Sequence, residues 1–248
     1  MDTHSCTAYG RGVTALSGDG STSGRREGIA AARKSKVAAE IRSARLIIVL
    51  RRVTPRTRLL DLVSELVEAG ARVVEVTLDG DDGPADLAAV GDLLASLAPS
   101  PEERAWVGAG TVRTVEQVRA AHAAGAAFGV SPVLDREVLA AALELGLPFI
   151  PGAMTPTEID AAWRAGAALV KVFPGSSVGP SHVRELRGPL REIELVVTGG
   201  IDLGNAAAFL EAGATAVGIG SAIVRASPAE RRVLIDAVRQ ASTPEAGA

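Results

Sequence analysis

Cysteine, histidine and aromatic residues are all scarce in this chain. The first two shortages argue against disulfide bonds and metal sites. The 248 residues include one cysteine, Cys6, so no disulfide can form within the chain. The three histidines, His4, His122 and His182, are scattered and show no spacing that would gather metal ligands on one face. We therefore expect no metal ion.

Charge and hydropathy limit the partners. Lys and Arg total 26 against 29 for Asp and Glu, a net charge of -3, so no basic excess favours nucleic acid as the principal partner. The apolar runs are too short and too often interrupted to span a bilayer, and the first residues lack the hydrophobic core of a signal peptide. We expect a cytoplasmic protein that binds a small molecule and neither nucleic acid nor a membrane.

The two ends of the chain differ from its body. Residues 1–37 are rich in Gly, Ser, Thr and Arg and cannot bury enough apolar area to offset their ordering entropy. We interpret them as a disordered extension or a mis-assigned start, rather than as a basic nucleic-acid tail. A short helix is expected to begin near Ser35, a single catalytic domain to span residues 38–241, and residues 242–248 to form a flexible tail.

The body alternates short β-rich runs with helical patterns. Hydrophobic residues make up 47% of the chain and aromatics 3%, so Ala, Val, Leu and Ile must fill one large core. Glycine in a repeated Ala-Gly-Ala signal closes helices just before strands, at Gly70, Gly125, Gly166 and Gly213. About eight strands in about 200 residues predict a (β/α)8 TIM barrel of the α/β class. A doubly wound sheet is the alternative, but no Gly-x-Gly-x-x-Gly follows the first strand. The predicted strands are Leu46 to Leu50, Val73 to Leu78, Ala105 to Gly108, Ala127 to Val130, Pro148 to Ile150, Leu169 to Phe173, Glu194 to Thr198 and Ala216 to Ile219.

Lys171 ends an apolar run and is followed closely by Pro174-Gly175. With a pKa of about 10.4, fewer than roughly one lysine in a thousand is neutral at pH 7. Burial that lowers the pKa by about three units would leave roughly a quarter or more of the amines neutral. Such an amine can attack a ketone and form a Schiff base. The alternative is a snorkelling lysine whose head reaches water.

Glu75 interrupts the apolar strand Val73 to Leu78, which is costly unless its carboxylate has a partner. Beside a Schiff-base lysine, a carboxylate can move the protons that carbinolamine collapse and carbon–carbon cleavage require. The alternative is a structural carboxylate that only neutralises Arg51 or Lys171.

Glycines follow the last two predicted strands, and their backbone N–H groups could cradle a phosphate. The alternative is that they only turn the chain tightly. The segments concerned are Thr198-Gly199-Gly200 and Gly218 to Ala222.

These residues together resemble the bacterial 2-keto-3-deoxy-6-phosphogluconate (KDPG) aldolases, which overlap with the 4-hydroxy-2-oxoglutarate (KHG) aldolases, class I lyases on a barrel. The resemblance runs from about Arg45 to Ala241. Its motifs are Val49-Leu50-Arg51, Gly70 to Thr77, Val107 to Val112, Val130-Ser131-Pro132, Ile150-Pro151-Gly152, Met154 to Glu158, Lys171 to Gly175, Val178-Gly179-Pro180, Thr198-Gly199-Gly200 and Gly218 to Ala222.

The resemblance implies that Lys171 forms the Schiff base and that Glu75 moves protons with a bound water. It implies cleavage of KDPG to pyruvate and glyceraldehyde 3-phosphate, and also of KHG to pyruvate and glyoxylate. A homotrimer without metal or organic cofactor is implied as well. The residues implied to contact substrate are Arg51, Thr111, Pro132, Phe173 and Thr198, with Gly199, Gly200, Gly220 and Ser221 at the phosphate.

Two residues depart from the family pattern. Some members have arginine after Glu-Val-Thr-Leu and bind the substrate carboxylate with it, whereas this chain has Asp79, whose charge would repel a carboxylate. Val197 stands where many relatives have proline, whereas the threonine that follows, Thr198, matches the family. We therefore expect the gluconate epimer of the substrate to be preferred over the galactonate epimer. Two alternatives remain: another phosphate-binding barrel enzyme, such as a sugar-phosphate epimerase or a thiamin-phosphate-type synthase, and a non-catalytic trimeric assembly module.

Overall fold

The computed structural model describes residues 27–28, 31–32, 35–80, 82–100 and 103–241. Most of the predicted N-terminal extension, 1–37, and the predicted tail, 242–248, lie outside these residues. Within the described ranges, no helix combines the length and apolarity needed to cross a membrane.

A single parallel sheet of nine short strands forms the centre of the molecule. The strands are β1 Leu46–Leu50, β2 Val73–Thr77, β3 Trp106–Gly110, β4 Gly129–Val130, β5 Phe149–Ile150, β6 Gly152–Ala153, β7 Val170–Val172, β8 Leu195–Thr198 and β9 Ala216–Ile219. The helices are Lys36–Ala44, Arg56–Glu68, Gly83–Leu97, Val115–Ala123, Arg136–Glu144, Pro156–Ala165, Gly179–Arg187, Ala206–Glu211, Ser221–Arg225 and Pro228–Gln240.

The sheet closes through a strand that Pro151 divides in two. The hydrogen-bonded order is β5-β4-β3-β2-β1-β9-β8-β7-β6, so its two ends, β5 and β6, are consecutive in the chain. On one side the Ser131 N–H donates to the Ile150 carbonyl at 3.2 Å, and on the other the Lys171 N–H donates to the Pro151 carbonyl at 2.9 Å. The predicted α/β TIM barrel is therefore confirmed, with β5 and β6 sharing the fifth of its eight strand positions.

Alternation along the strands separates two apolar layers. Ile47, Val73, Leu169 and Val196 pack together inside the barrel, where the side chains of parallel strands interdigitate. The residues next to them in the chain point outward and pack against the surrounding helices: Ile48, Val74, Val170 and Val197.

The short helix predicted near Ser35 closes one end of the barrel. It spans Lys36–Ala44, and the Ser35 side chain caps it by accepting a hydrogen bond from the Ala38 N–H at 3.2 Å. Val37, Ala38 and Ile41 of this helix join the interior apolar cluster. The amino-terminal end of the barrel is therefore filled, and a ligand must enter from the carboxyl ends of the strands.

The Ala-Gly-Ala signals do end helices as predicted. Their glycines have left-handed backbone angles, with φ of +100° at Gly70, +80° at Gly125, +115° at Gly166 and +104° at Gly213. Because a side chain is disfavoured at such angles, glycine sets where each helix stops.

On each strand, the residue two positions after the interior apolar residue also points into the barrel, closer to the carboxyl ends of the strands. Val49 pairs in register with Glu75 across β1 and β2, and Thr198 pairs with Gly218 across β8 and β9. Lys171 lies on β7, where it pairs in register with Val196 of β8, and its side chain is buried within reach of the Glu75 charge. The fold thus brings residues from distant parts of the sequence together inside the barrel.

Candidate active site

Lys171 lies inside the barrel, where it is 5% exposed. Its Nζ atom is 5.0 Å from the centroid of the Phe173 ring. Burial lowers the pKa of the Lys171 amine; the charge of Glu75 opposes this shift, and the charge of Arg51 adds to it. This direction favours the neutral amine, which is the form that attacks a ketone, and the buried Lys171 lacks the exposed head of a snorkelling lysine.

Glu75 is also buried, at 3% exposure, on β2. Burial raises the pKa of its carboxyl group, while the charges of Lys171 and Arg51 lower it and the charge of Asp79 raises it. Gly110 on β3 makes room for this side chain, because a Cβ atom at Gly110 would overlap Glu75 Oε1. Desolvation therefore favours the neutral forms of both the acid and the amine, and the two groups are close enough to influence each other's charge.

Arg51 and Thr111 meet at the ends of β1 and β3. Arg51 Nη2 donates a hydrogen bond to Thr111 Oγ1 at 3.3 Å. Thr111 has a left-handed backbone with φ of +58°, a conformation that costs a non-glycine residue about 1–3 kcal/mol. The surrounding structure thus holds the Thr111 hydroxyl in an unusual orientation beside a guanidinium group.

A cavity of about 470 Å³ opens above these groups and is large enough for a small metabolite. Most of the predicted site residues line it: Arg51, Lys171, Phe173, Thr198, Gly199, Gly200, Gly220 and Ser221. The structure therefore gathers these eight residues around one space.

The loop after β8 forms part of the cavity wall and is tightly constrained. Gly199 and Gly200 have φ of +96° and +72°. A Cβ atom at Gly200 would lie 2.5 Å from Ser176 Cβ, and the Gly199 carbonyl accepts a hydrogen bond from the Ser176 N–H at 2.9 Å. Glycine is required here both by backbone angle and by space, so the backbone itself faces the cavity.

Three predicted residues are not part of the cavity wall. Glu75 and Thr111 adjoin it through Lys171 and Arg51, as described above. Pro132 lies half-buried after β4, and its carbonyl oxygen fills the space where Gly152 lacks a side chain. Contact between substrate and Pro132 remains a prediction.

Asp79, at the position of the family arginine, faces a cation of its own. Its Oδ2 atom is 3.3 Å from Nη2 of Arg52, the residue after Arg51. Asp79 Oδ1 and Thr77 Oγ1 are buried without a hydrogen-bond partner among the described residues. The negative charge at position 79 is thus partly neutralised by Arg52.

Arg225 also lines the cavity and was not predicted. Arg225 ends the helix Ser221–Arg225 and lies four residues after the predicted Ser221. Helical spacing from Ser221 was the signal that could have identified it, because residues four apart share one helix face.

No group of three or more His, Cys, Asp or Glu residues that could hold a metal ion occurs among the described positions.

Comparison with known proteins gives the chain a family. The family model described as "KDPG and KHG aldolase" matches residues 37–238. The 2-dehydro-3-deoxy-6-phosphogalactonate aldolase of Escherichia coli is 33% identical over 188 residues, covering 75% of this chain and 88% of the relative. The 2-dehydro-3-deoxy-phosphogluconate aldolase of Treponema pallidum is 37% identical over 150 residues, covering 60% and 68%.

A solved structure supports the same assignment. The KDPG aldolase of Legionella pneumophila, captured with pyruvate as a covalent carbinolamine intermediate, is 26% identical and superposes with a TM-score of 0.71 over 85% of this chain and 100% of that one. The alternative enzyme classes and the non-catalytic module are not favoured by these relatives. The chain therefore belongs to the KDPG and KHG aldolase family.

Proposed function

We propose that this class I aldolase cleaves KDPG to pyruvate and glyceraldehyde 3-phosphate through a Schiff base on Lys171, and that it also cleaves KHG to pyruvate and glyoxylate. One observation carries the proposal: the buried Lys171 amine lines a small-molecule cavity and lies within electrostatic reach of the buried carboxyl group of Glu75. The carbinolamine trapped in the Legionella relative supports the same chemistry.

Binding begins with the acidic end of the substrate. Arg51 supplies a guanidinium group for the substrate carboxylate, and Thr111, hydrogen-bonded to it, orients the pyruvate portion. The neutral Lys171 amine then adds to the C2 ketone, and the carbinolamine loses water to form an iminium ion.

Glu75, directly or through a water molecule, removes the proton of the C4 hydroxyl group. The electrons of that O–H bond form the aldehyde carbonyl, and the electrons of the C3–C4 bond move into the iminium ion, which becomes an enamine. Glyceraldehyde 3-phosphate leaves, C3 takes up a proton, and water adds at C2 to release pyruvate and restore the amine. Lys171 is thus both the tether and the electron acceptor.

The remaining predicted residues are proposed to set specificity. Gly199, Gly200, Gly220 and Ser221 would bind the phosphate through the loops after β8 and β9. Phe173 and Thr198 line the same cavity, and the threonine is proposed to favour the gluconate epimer.

The assembly and location of the enzyme are also proposals. We infer a homotrimer of barrel domains spanning 38–241, working in the cytoplasm, in keeping with the resemblance to the family. Size-exclusion chromatography with light scattering tests the trimer directly.

Reductive trapping tests the chemistry. Wild-type protein treated with pyruvate and cyanoborohydride should gain the mass of one reduced pyruvate unit on the peptide that contains Lys171, and a panel of KDPG, its galactonate epimer and KHG should release pyruvate. The Lys171→Ala variant should do neither. Trapping on another lysine, or turnover by Lys171→Ala, would contradict the proposal.

A further inference from the structure

Arg225 faces the cavity from the helix that follows β9. Three residues of Ser221–Arg225 line the cavity, namely Ser221, Val224 and Arg225, which have the i, i+3, i+4 spacing of one helix face. Ile223, on the opposite face, is fully buried in the core between barrel and helices. Packing of Ile223 therefore fixes the rotation of the helix and presents Arg225 to the cavity.

The guanidinium group of Arg225 has no partner within the described part of the chain. It forms no ion pair and no side-chain hydrogen bond with any residue that the structure describes, and it is exposed. The other two basic residues of the cavity wall interact with the protein: Arg51 donates to Thr111, and Lys171 is buried near Glu75. The guanidinium group of Arg225 is therefore available for a second anionic group of the ligand, apart from the carboxylate proposed to bind Arg51.

The charge of the cavity wall is one-sided. Its described residues include three basic side chains, Arg51, Lys171 and Arg225, and neither aspartate nor glutamate. A cavity lined by one sign of charge favours a ligand of the opposite sign, and a planar guanidinium fork suits a phosphate oxygen pair. The glycine loops beside Arg225 leave space for such a group but add no side-chain charge.

Building on the proposed function, we propose that Arg225 binds the phosphate of the substrate and determines the preference of this enzyme for phosphorylated over unphosphorylated 2-keto-3-deoxy acids. Backbone groups of the glycine loops position the phosphate, and Arg225 supplies the charge that distinguishes a dianion from a neutral hydroxyl group. In this proposal Arg225 contacts the phosphate and not C2 or the C3–C4 bond, so its effect is confined to binding.

The test compares two substrates that differ only in phosphate, KDPG and 2-keto-3-deoxygluconate. Arg225→Gln should lower kcat/KM for KDPG about tenfold to hundredfold, mainly through KM, since a hydrogen bond to a charged group contributes roughly that much. With 2-keto-3-deoxygluconate, kcat/KM should change less than about twofold, and the rate of pyruvate trapping on Lys171 should be unchanged. Arg225→Lys should retain part of the preference, because an ammonium group keeps the charge and loses the fork.

A matched control is Arg136→Gln, which removes the same charge from an exposed arginine in the helix after β4, outside the cavity wall. It should leave both substrates unaffected. A calorimetric titration with inorganic phosphate gives a readout that does not depend on turnover: Arg225→Gln should weaken phosphate binding and Arg136→Gln should not.

The failures of the two proposals are distinguishable. If wild-type protein traps pyruvate but Arg225→Gln keeps its preference for KDPG, or loses both substrates equally, the role of Arg225 is refuted while the aldolase chemistry stands. If wild-type protein traps no pyruvate, the proposed function fails. The phosphate titration then decides on Arg225, and unweakened phosphate binding by Arg225→Gln would overturn its role.

Discussion

Replacing Glu75 with glutamine would remove a buried carboxyl group from β2 while keeping nearly the same side-chain volume. The charge of Glu75 raises the pKa of Lys171, against the larger effect of burial. Without that charge the pKa of Lys171 falls further, so more of the amine is neutral at any given acidic pH. The fraction of enzyme able to start Schiff-base formation should therefore increase below neutrality.

Turnover should change in the opposite direction, because the amide cannot take the C4 hydroxyl proton. General-base catalysis typically contributes about 10²–10⁴-fold, equivalent to ~2.7–5.4 kcal/mol in the activation barrier at about 1.36 kcal/mol per factor of ten. We expect kcat for KDPG cleavage to fall by that factor in Glu75→Gln. Imine formed with pyruvate should still accumulate when the reaction is followed to its end point.

The assay pairs two measurements on the same protein. Steady-state cleavage is followed by coupled pyruvate detection, and end-point trapping with cyanoborohydride is measured across an acidic pH series. The expected result is strongly reduced cleavage together with a trapping profile whose acidic limb moves to lower pH. Cleavage within about twofold of wild type, or a limb that moves to higher pH, would refute the assignment of Glu75 as the base coupled to Lys171. Thermal unfolding of the variant checks that the barrel remains folded.

Three further substitutions test the site from other directions. Lys171→Ala should abolish both cleavage and trapping but still unfold cooperatively, as seen by circular dichroism, because it removes a buried amine without adding volume. In Gly110→Ala the added Cβ overlaps Glu75 Oε1. The substitution should lower the free energy of unfolding by about 1–3 kcal/mol in urea titrations and reduce cleavage at least tenfold. Wild-type activity would show that Glu75 can move without cost. Asp79→Asn removes a charge that raises the pKa of Glu75, so that pKa should fall. The acidic limb of the pH–rate profile should then shift to lower pH. A limb that stays in place or moves to higher pH would contradict the coupling between Asp79 and Glu75.

Much of the barrel could be predicted because strand and helix periods are local properties of the sequence. The bounds of β1 and β9 agree with prediction at both ends, since each is a short, mostly apolar run with polar or glycine residues on either side. β3 extends two residues beyond its predicted end, to Gly110, because glycines that weaken a strand in isolation are held here by pairing with β2. The division of the fifth strand at Pro151 was not predicted either. It depends on the Ile150 carbonyl bonding to the strand on one side and the Pro151 carbonyl bonding to the strand on the other.

The chemistry-bearing residues were visible from the sequence for a different reason. Glu75 and Lys171 each interrupt an apolar run, and a charge in such a run is costly enough to demand an explanation. Arg225 interrupts no apolar strand, so the sequence marked it only through its helical spacing from Ser221. Only the closed barrel shows that this helix face turns toward the cavity.

Depth along one strand favours position 171 for the proposed nucleophilic amine over the positions two residues to either side. Leu169 is fully buried in the apolar layer, where no ligand can reach. A lysine at that position would be neutral because of its burial, but it could not contact a substrate. Position 173 is only half-buried at the cavity wall, and a lysine there would keep closer to its ordinary pKa and remain protonated. Between them, Lys171 is buried, which lowers the pKa of its amine, and it still borders the cavity. Glu75 lies two residues beyond buried Val73 on β2, and its charge acts on the Lys171 amine, so the barrel brings acid and amine together.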